Sequence, residues 1–72
     1  MLKVVSKKGC GLCISTKMIL QKKREAYMEY DAESDEGRII LNIVKSKELP
    51  VMYLDDGTSY SGVDSYNYAK SL

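Results

Sequence analysis

Two cysteines with a two-residue spacer, Cys10-Gly11-Leu12-Cys13, fall where a strand-like run ends and a helix-compatible segment begins, and no other feature narrows the choice of fold so far. The run before them, about Lys3 to Ser6, draws apolar and partly β-branched content from Leu2, Val4 and Val5, and Gly9 interrupts it. From Cys13 to about Arg24 the residues Ile14, Thr16, Met18, Ile19 and Leu20 keep helical spacing without Gly or Pro. Lys22-Lys23-Arg24 suit the negative end of a helix dipole. The opening of the chain therefore reads as strand, loop, helix.

The remaining segments extend that alternation. Tyr27 to Asp31 reads as a second strand, and Ser34-Asp35-Glu36 is cap-capable and acidic, preparing a helix to about Lys45. Ile39, Ile40, Ile43 and Val44 recur at spacings that predict one common apolar face. Pro50 stops any helical continuation. Val51 to Leu54, the turn Asp55-Asp56-Gly57 and Thr58 to Ser61 form a hairpin signal. Gly62 then breaks the pattern, Asp64 offers a cap, and Tyr66, Tyr68, Ala69 and Leu72 suit a final short helix. The order βαβαββα predicts an α/β domain: a right-handed crossover gives a parallel pair, the hairpin adds an antiparallel one, and three helices cover one mixed four-stranded sheet. A 72-residue chain has too little surface to bury for two cores, so residues 1–72 are expected to form one domain.

Bulk properties exclude several function classes. With 44% hydrophobic and 29% charged residues the chain is expected to fold rather than stay disordered. A net charge of +1 gives it no general pull toward nucleic acid or an anionic membrane. No apolar run approaches the roughly 20 residues that span a bilayer, and Met1-Leu2-Lys3-Val4-Val5 lacks a signal-peptide core, so a cytoplasmic protein is expected; a monomer is the expected state. The six tyrosines are scattered over several elements, which fits packing rather than base stacking. Charge is unevenly spread: every charged residue before Glu25 is basic, and Glu25 to Glu36 contains no Lys or Arg. The cysteines lie inside the basic block.

At a helix start, unpaired amides and the positive end of the dipole favour a thiolate over a thiol, and Lys7 and Lys8 act in the same direction. Cys10, nearer the loop, is the expected nucleophile. Cys13, one helical turn on, is the expected resolving thiol, and the spacer lets the two sulfurs form a disulfide. Half of a zinc site has the same spacing, but the sequence has no His and no further Cys, so a closed Cys/His site would need carboxylates or a second chain. A purely structural disulfide would close a very short loop in a reducing compartment. The residues thus point to thiol-disulfide exchange that needs no metal or permanently bound cofactor.

Three segments, Ser6-Lys7-Lys8-Gly9-Cys10-Gly11-Leu12-Cys13, Leu49-Pro50-Val51 and Ser61-Gly62-Val63-Asp64, together resemble the glutaredoxins and NrdH-redoxins in order and spacing across nearly the whole chain. The resemblance implies a thioredoxin-like fold with Pro50 in a cis peptide bond facing the cysteines. It implies catalytic roles for Cys10 and Cys13. Ligand-binding roles follow for Lys7 (a glutathione carboxylate), Leu12, the Leu49 backbone, Pro50, and Val63 with Asp64 (a second carboxylate and the amino group). Glutathione is then a co-substrate, and the partners are disulfide-containing proteins or glutathione mixed disulfides. The NrdH-type alternative implies recharging by thioredoxin reductase and supply of ribonucleotide reductase; a third implies a [2Fe-2S] cluster shared by two chains through Cys10 and glutathione thiols. The chain departs from glutaredoxins at Gly11-Leu12, where Pro-Tyr is usual, at Glu48, where Thr is common, and at Ser61-Gly62, which is like the Ser-Gly of NrdH-redoxins.

Overall fold

A computed structural model describes residues 1–72. The elements follow the expected order: β1 (Leu2–Ser6), α1 (Gly11–Lys22), β2 (Tyr27–Asp31), α2 (Asp35–Val44), β3 (Val51–Tyr53), β4 (Ser59–Ser61) and α3 (Val63–Ser71). They build one four-stranded sheet in the order β2-β1-β3-β4. β1 runs parallel to β2, with Leu2 opposite Tyr27 and Ser6 opposite Asp31. β3 is antiparallel to β1, with Val5 opposite Val51, and β4 is antiparallel to β3, with Val51 opposite Ser61.

Strand alternation divides the core between the two faces of the sheet. On one face Val4 and Met52 pack with Leu20 of α1 and Ala69 of α3, bordered by Tyr27, Tyr60 and Tyr68. On the other Val5 and Val51 pack with Ile40 of α2, bordered by Tyr30, Leu41 and Val44. Leu20 is wholly buried, a burial worth about 1.5–3 kcal/mol for a side chain of this kind. Tyr60 and Tyr68 stack with ring centroids 4.3 Å apart, so these tyrosines serve packing as expected.

Four local expectations are corrected. α1 begins at Gly11, two residues before Cys13, because Cys10 itself provides the cap. On α2, Ile39 and Ile43 are 58% and 55% exposed, while Gly37 and Ile40 are buried and Leu41 and Val44 half-buried. The helix is rotated about its axis because Gly37 sits against β2: a Cβ there would collide with the Asp31 carbonyl oxygen. The hairpin strands are a residue shorter at their turn ends, because Leu54 N–H donates to the Thr58 carbonyl (2.9 Å) and Gly57 N–H to that of Leu54 (3.0 Å). Within the turn, Thr58 N–H donates to the Asp56 carboxylate at 2.8 Å and holds that carboxyl below its usual range. Finally, Asp64 lies in the first turn of α3 and the cap position belongs to Gly62.

The basic end of α1 has a specific use. Lys23 caps α1 and its ammonium donates to the carbonyls of Lys70 and Leu72, tying the ends of α1 and α3 together. No helix is long and apolar enough to cross a membrane.

Candidate functional site

The strand registers decide which loops meet. Val5, Val51 and Ser61 lie in one row across β1, β3 and β4, so the next residues outward are Ser6, Pro50 and Gly62. The Gly62 N–H donates to the Pro50 carbonyl at 2.8 Å, as this continuation of the row requires. One end of the sheet therefore gathers the loop after β1, which leads to Cys10, the Leu49-Pro50 turn before β3, and the start of α3.

At this end the Cys10 and Cys13 sulfurs are joined in a disulfide, with Cα atoms 5.2 Å apart. Cys10 has extended backbone geometry at the N-cap of α1, and its sulfur accepts the Cys13 N–H at 3.1 Å. Sulfur thus occupies the place that a Ser or Asp oxygen fills at an ordinary helix start. The first turn of α1 carries no acidic residue, so nothing in that turn opposes a negative charge on Cys10. Cys10 is half-buried and Cys13 is 1% exposed, which is the asymmetry a nucleophile and a resolving thiol require.

The other expected site residues lie at the same end of the sheet. Lys7 is exposed on the preceding loop, and Leu12 is half-buried, its carbonyl accepting the Thr16 hydroxyl at 2.7 Å. The Leu49-Pro50 peptide bond is cis, as the resemblance implies. Pro50 is buried, and its carbonyl also accepts the Ser65 hydroxyl at 2.8 Å. The backbone N–H and C=O of Leu49 have no partner within the chain. Val63 and Asp64 are exposed at the start of α3, where Gly62 supplies no side-chain cap and both amides lack a backbone acceptor. Lys7 and Asp64 make no hydrogen bond or ion pair with each other or with the cysteines.

A groove of about 550 Å³ beside the cysteine loop brings in residues that the sequence reading did not single out for the site. It is lined by Ser6, Lys7, Lys8, Lys17, Glu29 and Asp31, with Gly9 and Ile14. Within it, Glu29 accepts hydrogen bonds from Lys17 (2.7 Å) and from the buried Ser6 hydroxyl (3.0 Å). The Lys17 ammonium, more than Ser6, holds the Glu29 carboxyl below its usual value against a partial desolvation that acts the other way. The parallel pairing of β1 with β2 brings Ser6 and Glu29 together and α1 adds Lys17, an arrangement of which local pattern carries no signal. No cluster of three or more His, Cys, Asp or Glu side chains is placed to hold a metal ion.

No protein-family model matches the sequence, and no curated protein matches it significantly. Solved structures are similar over the whole chain. NrdH-redoxin from Escherichia coli, described as a glutaredoxin-like protein with a thioredoxin-like activity profile, superposes with a TM-score of 0.79 at 19% identity, covering 99% of this chain and 92% of that one. A thioredoxin-like protein superposes with a TM-score of 0.81 at 23% identity, with both chains covered fully. A structural-genomics target from X. campestris gives 0.63 at 14% identity, covering 100% of this chain and 99% of that one. The fold is thioredoxin-like.

Proposed function

We propose that the chain is a thiol-disulfide oxidoreductase of the glutaredoxin and NrdH-redoxin type, carrying two electrons on Cys10 and Cys13. The observation that carries this reading is the Cys10 sulfur in the N-cap position of α1, bonded to Cys13 at the same end of the sheet as the cis Leu49-Pro50 bond. In the reduced protein the Cys10 thiolate attacks one sulfur of a substrate disulfide. That S–S bond breaks, a Cys10–substrate disulfide forms, and the departing thiolate takes a proton from solvent. Cys13 then gives up its proton and attacks the Cys10 sulfur, releasing the second substrate thiolate, which is protonated in turn. The substrate gains two electrons and the pair is left as the disulfide. A further reductant restores it, and the protein needs no resident cofactor.

The free N–H and C=O of Leu49 support an extended substrate segment pairing with the edge of the site, as a strand added to a sheet does. Substrates are disulfide-containing proteins or glutathione mixed disulfides. The reductant is either glutathione with its reductase or thioredoxin reductase; under the latter, NrdH-like reading, the protein supplies ribonucleotide reductase. A reducing cytoplasm is the compartment in which such a monomeric carrier works.

Titration with dithiothreitol is expected to show reversible opening and closing of one Cys10–Cys13 disulfide, and Cys10→Ser is expected to abolish disulfide reduction. Full activity in Cys10→Ser overturns the proposal. A coupled NADPH assay comparing glutathione plus glutathione reductase with thioredoxin reductase assigns the reductant; turnover with neither counts against the electron-carrier role.

A further inference from the structure

Five of the six tyrosines border a core: Tyr27, Tyr60 and Tyr68 on one face of the sheet, Tyr30 and Tyr53 on the other. Tyr66 belongs to neither, although it is half-buried. What covers it is a trough between α1 and α3, which pack on the same face of the sheet. One part, of about 450 Å³, is lined by Ile19, Lys22, Lys23, Tyr66 and Lys70. An adjoining part, of about 200 Å³, is lined by Ser15 and Met18 with the same Ile19, Lys22 and Tyr66. Helical spacing accounts for the membership, since residues three and four apart share a face: Ser15, Met18, Ile19 and Lys22 do so on α1, and Tyr66 and Lys70 on α3.

The floor of the trough is apolar and its rim is positive. Met18 is 58% exposed, and Ile19, packed against the core of Val4, Leu20, Met52 and Ala69, is half-buried. The Lys70 ammonium lies over the Tyr66 ring, 5.3 Å from its centroid. No acidic residue lines either part, and neither Lys22 nor Lys70 enters an ion pair, the two pairs of the molecule being Met1–Asp55 and Lys17–Glu29. Lys23, whose ammonium is held by the carbonyls of Lys70 and Leu72, fixes the end where the two helices meet. The rim is remote from the cysteines: Cys10 caps the start of α1 and Lys22 ends it, about 18 Å away along the helix axis.

We propose that the α1–α3 trough docks an acidic amphipathic helix of a partner protein, its apolar side chains seated on Met18, Ile19 and Tyr66 and its carboxylates paired with Lys22 and Lys70. Charge selects the sign of the partner, because ammonium groups without carboxylates beside them attract an acidic segment and repel a basic one. Shape selects its form, because a helix lays a ridge of apolar side chains into a groove, whereas a bilayer presents a flat surface. The docking is separate from the cysteine chemistry. Under the redox reading above, a partner held here leaves the cysteine end open and raises the local concentration of its own disulfide there.

The test follows the fluorescence anisotropy of a labelled helical peptide of about 20 residues, with leucines on one face and glutamates on the other, as the full chain is added. Saturable binding is expected, and the same peptide with lysine in place of glutamate is expected to bind at least about tenfold more weakly. Lys22→Glu combined with Lys70→Glu is expected to weaken binding of the acidic peptide at least about tenfold, and salt to weaken it in the wild type. Tyr66→Ala is expected to weaken it by about the same factor at an unchanged urea midpoint, since Tyr66 lies in neither core. Lys45→Glu combined with Lys47→Glu makes the same change of net charge beyond the end of α2, on the other face of the sheet, and is expected to alter affinity less than about twofold. Absence of binding, equal weakening by the two double variants, or binding of phosphatidylglycerol–phosphatidylcholine vesicles in place of the peptide overturns the docking. Cys10→Ser is expected to bind the peptide as the wild type does, so failure of the docking and failure of the redox reading are told apart.

Discussion

The starts of α1 and α2 lie on opposite faces of the same sheet and solve the same problem with opposite chemistry. Each helix begins with amides that lack an intrahelical acceptor. At α2 the Ser34 hydroxyl accepts the Gly37 N–H at 3.0 Å, and Asp35 and Glu36 place negative charge in the first turn. At α1 the acceptor is the Cys10 sulfur, and the first turn contains no acid. Hydroxyl and carboxylates satisfy the dipole of α2 permanently. On the proposed redox reading, the dipole of α1 is left for a charge that appears only when the disulfide opens. One helix start is arranged for stability, the other, on that reading, for reactivity.

Substitutions that move each start toward the other test this contrast. The largest effect is expected at α2, where Gly37→Ala forces a methyl group into the Asp31 carbonyl; overpacking of this kind costs about 1–3 kcal/mol, read as a lowered urea midpoint. Cys10–Cys13 cycling of the folded fraction should be unaffected, and a stable Gly37→Ala protein would show that α2 can slide on β2. Ser34→Ala removes the ordinary cap and is expected to cost about 1 kcal/mol, lowering Tm by about 4–8 °C without slowing disulfide exchange. An unchanged Tm would mean that Ser34 is not the effective cap.

Gly11→Asp makes α1 resemble α2. A Cβ at Gly11 meets no atom within 4 Å, so the change is electrostatic rather than steric. A carboxylate in that first turn opposes a thiolate on Cys10 by about 0.3–1 kcal/mol, so alkylation of reduced Cys10 at neutral pH should slow about two- to fivefold. Equal alkylation rates would remove the dipole from the account of reactivity.

The smallest effect concerns acid. α1 is fastened to β2 by the Lys17–Glu29 pair, whereas no ion pair joins α2 to the sheet. The Glu29 carboxyl titrates below its ordinary 4.5, chiefly because of Lys17. A depressed folded-state value contributes stability that is present above pH 4.5 and lost as pH falls through the lower folded value. Side-chain NMR of Lys17→Met should show Glu29 titrating closer to 4.5; an unshifted midpoint would assign the depression to another cause.

Much of this was legible in the sequence where the determinant is local. The Cys10–Cys13 spacing, the β-branched run before it and the Asp-Gly turn specify their own neighbourhoods, and they locate β1, α1 and the hairpin. The rotation of α2 was not legible, because Ile39 and Ile43 satisfy helical spacing as well as Ile40 does, and only the approach of Gly37 to Asp31 chooses between them. Lys45 in a left-handed C-cap conformation was hidden for a similar reason, since a lysine carries no signal for positive φ. The Ser6–Lys17–Glu29 cluster depends on pairing between distant segments. The cis bond at Pro50 came from family likeness, not from any property of the proline itself.

The Pro50 carbonyl accepts two hydrogen bonds, from Gly62 and Ser65, and proline has no N–H. That residue is therefore mute toward an incoming chain, while Leu49 just before it keeps both backbone groups open. On the proposed strand-like pairing, a guest peptide meets one legible letter followed by a blank, and so can be read in a single frame.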